Sequence, residues 1–386
     1  VNDMGWNLGI NIAGHGASIT LSHDGELILF LKEERVTRKK RDHDLPLISL
    51  KYVKEYTNNL DKIYFANCTE KIINRILLHL EKLGIKESYN YDSPASVSYH
   101  HLNHASCGYY SSGYDEAICL VVDGWGKYEN TSNLFQSDLE PFDLYETCSI
   151  FHVKNGQFKL EKKYVNFDPH RYDTLEDKYV SLNQFSNDIN LNKAIVNNVL
   201  DIGIVYEIIT KFIGFGQDEC GKTMGLSAYG EPDDEIPPIL VGDNLDVNMN
   251  LFTASSILND VSYPQLQRFF SLRKKSNLAY AVQKALEQKI IQRMDMIVNN
   301  YNCKNIVLSG GVFYNVVVNS ILLKKYPDYN FYVDPLCDDS GHSYGMLMKD
   351  ANLQTCKLKD LYLGPKYDLV DLKERIYKSV SKFQNK

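Results

Sequence analysis

No apolar run in the sequence approaches the roughly 20 residues that cross a bilayer, and the first residues lack the basic and apolar regions of a secretory leader. A cytoplasmic protein that does not engage a membrane is the expectation. Cysteine pairs are missing as well. Cys68, Cys107, Cys119, Cys148, Cys220, Cys303, Cys337 and Cys356 are scattered, with no Cys-x-x-Cys spacing, so small buried apolar roles fit them better than a disulfide framework. Nor is there a surplus of positive charge: the formal net charge of −7 argues against a broad nucleic-acid face, while leaving room for a local basic site. Low-complexity tracts and repeats of solenoid period are likewise missing.

What is there is an ordinary globular composition, 44% hydrophobic and 24% charged, over 386 residues. That length exceeds what one core usually supports, so two lobes are expected. NLGINIAGHGASITL followed by HDGELILFLKEER predicts two strands joined by a turn at Gly14 to Gly16, then a third strand after a turn at Asp24-Gly25. EAICLVVDGWGKYENTSNLFQ repeats the grammar, with a turn expected at Asp123-Gly124. Two such hairpins suggest two related α/β halves. The stretch from Phe151 to Lys211 is less regular, and GEPDDEIPPILVGDN is acidic and polar, so both are expected to be insertions or loops. NLAYAVQKALEQKIIQRMDMIV carries apolar residues at helical spacing with Ser276 as a cap, and NIVLSGGVFYNVVVNSIL then predicts strand, glycine turn and helix.

YHHLNHASCGYY holds three of the ten histidines within five residues. On a helix, His100 and His104 stand four apart, about 40° around the axis, so both rings reach one point while His101 turns elsewhere. Neutral imidazoles at that spacing suit iron, zinc, nickel or copper. A satisfied core cluster has the same spacing, so context matters. Asp123 closes the apolar strand ICLVV, and Asp338-Asp339 follows the strand FYVD, so two histidines and two strand-end aspartates could share a cleft. Gly310-Gly311, between a strand and a helix, lets backbone N–H groups approach an anion. With the turns GHGAS and DGWGK, this resembles the nucleotide cleft of the actin, sugar-kinase and heat-shock chaperone group. The implied fold is two RNase H-like subdomains around a nucleotide.

In order, GINIAGHGAS, EERVTRKKRDHDLP, HHLNHAS, VVDGWG, KTMGLSAYGEP, LSGGVFYN and DPLCDDSGHSYG resemble the O-carbamoyltransferases of antibiotic and nodulation-factor pathways, across nearly the whole chain. The core is also similar to the universal tRNA threonylcarbamoyltransferase. The resemblance implies that His100, His104, Asp123 and Asp339 hold a metal, iron(II) or another divalent ion, facing the carbamoyl group of a carbamoyladenylate made from carbamoyl phosphate and ATP. It implies AMP along Gly124, Gly310, Gly311 and Asn315, and attack by an acceptor hydroxyl. His15 matches a position near the acceptor, where a histidine suits a general base at neutral pH. Arg35, Lys40 and Lys222 are expected near the donor phosphate or acceptor. The run from Lys32 to Arg41, six basic and two acidic residues, suits an anionic donor, although a solvated strand end also explains it.

The sequence departs from the family pattern in places. Asp338 stands where the family commonly has glycine, which leaves the ligand open between Asp338 and Asp339. KHD becomes Lys40-Arg41-Asp42, and MGLAPYG becomes MGLSAYG with Ala228 for proline. Relatives continue into a domain that makes the adenylate, which this chain is expected not to contain. The expected organisation is a first subdomain at 1–115, a second at 116–360, and a linker at 361–386. The expected activity is O-carbamoyl transfer to a small-molecule or nucleotide hydroxyl. The alternatives are a threonylcarbamoyltransferase-like enzyme acting on tRNA and a non-catalytic nucleotide-binding regulatory subunit. A homodimer is compatible with any of them.

Overall fold

The computed structural model describes residues 5–12, 16–40, 42, 44–66, 68–92, 100–130, 143–167, 194–196, 200–217, 219–252, 264–351, 353–355, 357–358, 360–365 and 373. The first sheet is built from β1 (Trp6–Asn11), β2 (Ser18–His23), β3 (Glu26–Lys32), β4 (Asn59–Ala66) and β5 (Lys86–Asp92), in the order β3-β2-β1-β4-β5. β1, β2 and β3 pair antiparallel, and β4 and β5 add in parallel. The turn between β2 and β3 is the expected Asp24-Gly25, both with positive φ, 50° and 86°, as a two-residue hairpin turn requires.

Period-two alternation gives this sheet two unlike faces. Leu8, Ile10, Ile19, Leu21, Leu29, Leu31, Ile63 and Phe65 form one, buried against Ile73, Ile76 and Leu80 of α2 (Glu70–Lys82) and against Leu50 and Val53 of a 3-10 turn at Ser49–Glu55. Asn7, Asn11, Ser18, Thr20 and Ser22, all fully buried, lie on the other. A short helix, α1 (Glu33–Thr37), follows β3, and its buried Glu33 carboxylate accepts N–H bonds from Ile48 and Ser49 at 2.9 and 2.8 Å.

The second half repeats this wiring. After α3 (His100–Ser112) come β6 (Glu116–Asn130), β7 (Asp143–Lys154), β8 (Gln157–Phe167) and β9 (Ala194–Val196). Then follow α4 (Ile202–Ile213), α5 (Cys220–Ser227), a small hairpin of β10 (Leu240–Val241) and β11 (Asp246–Val247), α6 (Pro264–Phe270) and α7 (Lys275–Asn300). β12 (Asn305–Ser309), α8 (Val316–Lys325), β13 (Asn330–Val333) and α9 (His342–Asp350) complete it. The sheet order is β13-β12-β6-β7-β8-β9, again an antiparallel meander (β6, β7, β8) with two parallel additions (β12, β13) on its first strand. The two related halves expected from the hairpins are therefore present, with β9 as an extra edge.

The layers interlock. α4, α7 and α8 cover one face of the second sheet, around Ile118, Leu120 and Val122. Its other face carries α3, whereas α9, late in the chain, packs on β1, β2 and β4 of the first sheet. The seam between α9 and the first sheet combines Phe30, Tyr64 and Leu347 with a row of polar contacts. Asn11 Nδ2 donates to the Gly16 and Asp339 carbonyls at 2.9 Å, Ser18 Oγ donates to Ser340 O at 2.7 Å, and Thr20 and Ser343 share a hydroxyl bond of 2.8 Å.

Three local expectations need correction. Asp123-Gly124 is no hairpin turn: β6 runs through it, with its pairing to β7 shifting register between Val122 and Gly126, so the glycines make a bulge. Phe151 to Lys211 is not simply an irregular insertion, because it contains the end of β7, β8 and α4, with a hairpin turn at Asn155-Gly156 whose φ values are 49° and 75°. Finally, α7 begins at Lys275 with Lys274 at the cap position, so Ser276 lies inside the helix.

Candidate metal centre

α3 is buried on nearly every side, and its hydroxyls are satisfied within the helix: Ser106 Oγ donates to Leu102 O at 2.7 Å and Ser111 Oγ to Cys107 O at 2.6 Å. The helical spacing brings the His100 and His104 ring centroids to 4.9 Å. The bulge in β6 presents Asp123 to them, with Oδ2 3.0 Å from His100 Nε2 and 3.6 Å from His104 Nε2. The other oxygen, Oδ1, accepts the Gly311 N–H at 3.2 Å. Asp339 arrives on the 3-10 turn Asp339–Gly341, its Oδ1 3.6 Å from His100 Nε2 and 3.5 Å from His104 Nε2. Four residues expected to share a cleft thus converge on one point.

His101 turns away, as the helical angle predicts. Its backbone N–H donates to Glu146 at 2.8 Å and its Nδ1 meets Ser149 Oγ at 2.8 Å. Buried Glu146 is paired in turn with buried Lys163. Burial, with the positive field of His100 next, holds the His101 ring well below the ordinary histidine pKa.

The electrostatics of the cluster favour a cation. Burial disfavours charge on His104, yet the pull of Asp123 and Asp339 outweighs it and raises the ring to about 10. Burial opposes the Asp123 carboxylate too, but His100 and His104 hold it well below the usual range. His104 is fully buried, and among the described residues neither ring nitrogen finds a hydrogen-bond partner. Buried polar atoms of that kind need a partner. Atoms bonded to one transition-metal ion at about 2.1 Å stand about 3.0 Å apart at right angles and about 3.4 Å apart in a tetrahedron. The four nitrogen-to-oxygen separations, 3.0 to 3.6 Å, match that spacing, so the residues fit a divalent ion.

Asp338, the other candidate beside Asp339, is engaged elsewhere. Its Oδ2 receives Lys32 Nζ at 2.6 Å and its Oδ1 accepts the Ser340 N–H at 3.1 Å. His15 lies outside the described residues. Its neighbour Gly16 is pressed against the centre, since a Cβ there would come within 2.7 Å of Asp339 Cβ and 2.8 Å of Ser340 N. Gly310 has φ +95°, and a Cβ would stand 2.3 Å from Val122 O, so only glycine fits this turn against β6. Gly124 is open, with nothing within 4 Å of where a Cβ would stand.

Asn315 caps α8, accepting the Val318 N–H at 3.1 Å, and donates to Gln283 Oε1 at 2.8 Å, so both ends of its amide are engaged. Arg35 is exposed beside Glu34, Lys40 is exposed, and Lys222 pairs with Glu219 at 2.6 Å. The basic run therefore does not gather into one pocket, and Arg41 lies outside the described residues. Sequence reasoning placed Lys32 only in the basic run and missed His342. Lys32 fixes Asp338, and His342 brings a third imidazole to His100, His104 and Asp339, with one ligand atom from each of the four within 4.8 Å of the others.

Residues 47–347 match the family described as Carbamoyltransferase N-terminus. An uncharacterized protein of Methanocaldococcus jannaschii is 25% identical over 97% of this chain and 62% of its own length. Nodulation protein NolNO of Sinorhizobium fredii is 24% identical over 91% of this chain and 49% of its own length. The chain thus spans half to three-fifths of these relatives. Among solved structures, full-length HypF in a phosphate- and nucleotide-bound form aligns with TM-score 0.50 at 13% identity, over 94% of this chain and 57% of that one. HypF of T. kodakarensis aligns with the same score and identity, over 91% and 48%. With the doubled sheet wiring, these likenesses identify the α/β fold of the actin, sugar-kinase and heat-shock chaperone class. No described helix is long and apolar enough to cross a membrane.

Proposed function

Because this chain belongs to the carbamoyltransferase N-terminal family, we propose that it performs the transfer step of an O-carbamoyltransferase. The donor is carbamoyladenylate, formed from carbamoyl phosphate and ATP, and the acceptor is a hydroxyl of a small molecule or nucleotide. The observation that carries this reading is the convergence of His100, His104, Asp123 and Asp339 at 3.0 to 3.6 Å. These four residues would hold iron(II) or another divalent ion, which supplies Lewis-acid polarisation of the carbamoyl carbonyl.

The chain's own residues do the rest. The turn at Gly310 and Gly311 abuts Asp123 and lets the AMP portion of the donor approach the backbone, with Gly124 open beside it and Asn315 shaping the start of α8. His15, next to the Gly16 that touches Asp339, takes the acceptor proton. The acceptor oxygen forms its bond to the carbamoyl carbon as the bond from that carbon to the phosphate oxygen breaks, and AMP leaves with the electron pair. Arg35, Lys40 and Lys222 supply positive charge near the phosphate, Arg35 and Lys222 after release of Glu34 and Glu219.

The test is metal analysis paired with transfer from supplied carbamoyladenylate to sugar, antibiotic and nucleoside hydroxyls. Wild type should bind one divalent ion and transfer. His104→Ala should stay folded but lose the ion and most of the transfer, and unchanged metal content in that variant removes the proposal.

A further inference from the structure

We propose that His342 is a further ligand of this centre, adding a third imidazole beside His100, His104 and Asp339. The inference rests on the metal site proposed above and extends it to a residue on α9. His342 is fully buried. Its ring centroid lies 4.4 Å from that of His100 and 4.3 Å from that of His104, with interplanar angles of 90° and 72°. Edge-on rings at this separation can direct nitrogens to one point, whereas parallel stacked rings cannot.

The backbone explains why His342 arrives there. Asp339 and His342 are three apart on the continuous turn that runs from Asp339–Gly341 into α9, so their side chains share a face. The pair Asp339-x-x-His342 faces His100-x-x-x-His104 across a helix crossing. The crossing is unusually close. At Gly341 a Cβ would stand 2.2 Å from Leu336 O and 2.9 Å from Cys107 Sγ, and at Gly345 it would stand 2.2 Å from Asn103 O. Glycine on the α9 side therefore lets the backbones approach until imidazoles from both helices meet.

The chemistry of the cluster also favours ligation over packing. Three fully or nearly fully buried imidazoles and the Asp339 carboxylate form one group whose ligand atoms lie within 4.8 Å of one another, and Asp123 Oδ2 reaches the His100 and His104 rings of the same group. An added imidazole biases the site toward iron, zinc, nickel or copper and away from magnesium or calcium.

Cobalt(II) is the probe, because it gives paramagnetically shifted, exchangeable imidazole N–H resonances that can be counted. The full 386-residue chain is titrated with cobalt(II) as wild type, His342→Phe and His104→Ala. Phenylalanine keeps the edge-on packing and removes the nitrogens, and His342→Gln is the second variant should His342→Phe not fold. Wild type should show three shifted N–H resonances. His342→Phe should show two, with cobalt affinity lower by about 100-fold or more, beyond the 10- to 100-fold typical of a partner that only orients a ligand. Two resonances in wild type, with unchanged affinity in both His342 variants and loss of binding in His104→Ala, would overturn the role of His342 and leave the four-residue site standing. No cobalt binding by wild type would overturn both.

Discussion

Gly345→Ala tests the close crossing of α3 and α9 on which the centre depends. A methyl group on Gly345 would stand 2.2 Å from Asn103 O and 2.6 Å from Cys107 N, both backbone atoms of a buried helix that cannot rotate away. Ordinary contact begins near 3.4 Å, so α9 must retreat by about 1 Å. Overpacking of this kind costs about 3 kcal/mol. Alanine's better helix propensity returns about 1 kcal/mol. The net expectation is a destabilisation of about 2 kcal/mol, so the steric effect wins. Asp339 and His342 ride on the retreating segment, so cobalt(II) affinity should also fall, by about tenfold. Urea unfolding followed by circular dichroism gives the first number and cobalt titration of the same samples the second. Gly124→Ala is the control, because nothing lies within 4 Å of its added methyl, and its unfolding midpoint should not move. If Gly345→Ala is as stable as wild type, the helices are not in backbone contact and the geometry of the centre described above is wrong.

His15→Asn should lower the turnover of carbamoyl transfer far more than the affinity for the donor, and wild-type turnover in that variant assigns His15 to structure. Lys32→Met removes the cation from Asp338, whose side chain is 30% exposed, and should destabilise by about 2 kcal/mol, less than a fully buried pair would lose. Adding Asp338→Asn should restore most of that loss in a double-mutant cycle, and additive effects in urea unfolding would show that the pair is not coupled.

Local pattern carried much of the fold. The Asp24-Gly25 turn, the long helix after residue 274 and the strand-turn-helix around Gly310 are encoded by neighbours in sequence, and the structure has them. Asp123-Gly124 misled because a glycine bulge and a glycine turn look alike until the partner strand is known, and β7 begins only at Asp143. Asn155-Gly156 was a usable hairpin signal that the surrounding polar sequence obscured. At the site, the His100-His104 spacing was legible because both candidate ligands sit on one helix. The difference between Asp338 and Asp339 was not, since Asp338 is held by Lys32, 306 positions away. His342 was missed for a similar reason, although Asp339-x-x-His342 at helical spacing beside a candidate ligand was there to be read. α9 is also buried throughout most of its length, so it shows no amphipathic stripe to announce its packing.

The seam between the first sheet and α9 has a consequence for synthesis of the chain. Ser18 must wait for Ser343, 325 positions later, which at about 5–20 residues per second is about 15 s to a minute of elongation. A sheet left half covered for so long would invite aggregation if the waiting face were leucine and valine. Here the leucine-rich face is closed early by α2, and the face left waiting mixes Asn7, Gly9, Asn11, Ser18, Thr20 and Ser22 with Phe30, Tyr64 and Ala66. Water can satisfy the polar groups among them until the helix arrives. The polar positions thus limit the apolar surface that the nascent first half exposes, to Phe30 and Tyr64 above all, while the last piece of its structure is still being made.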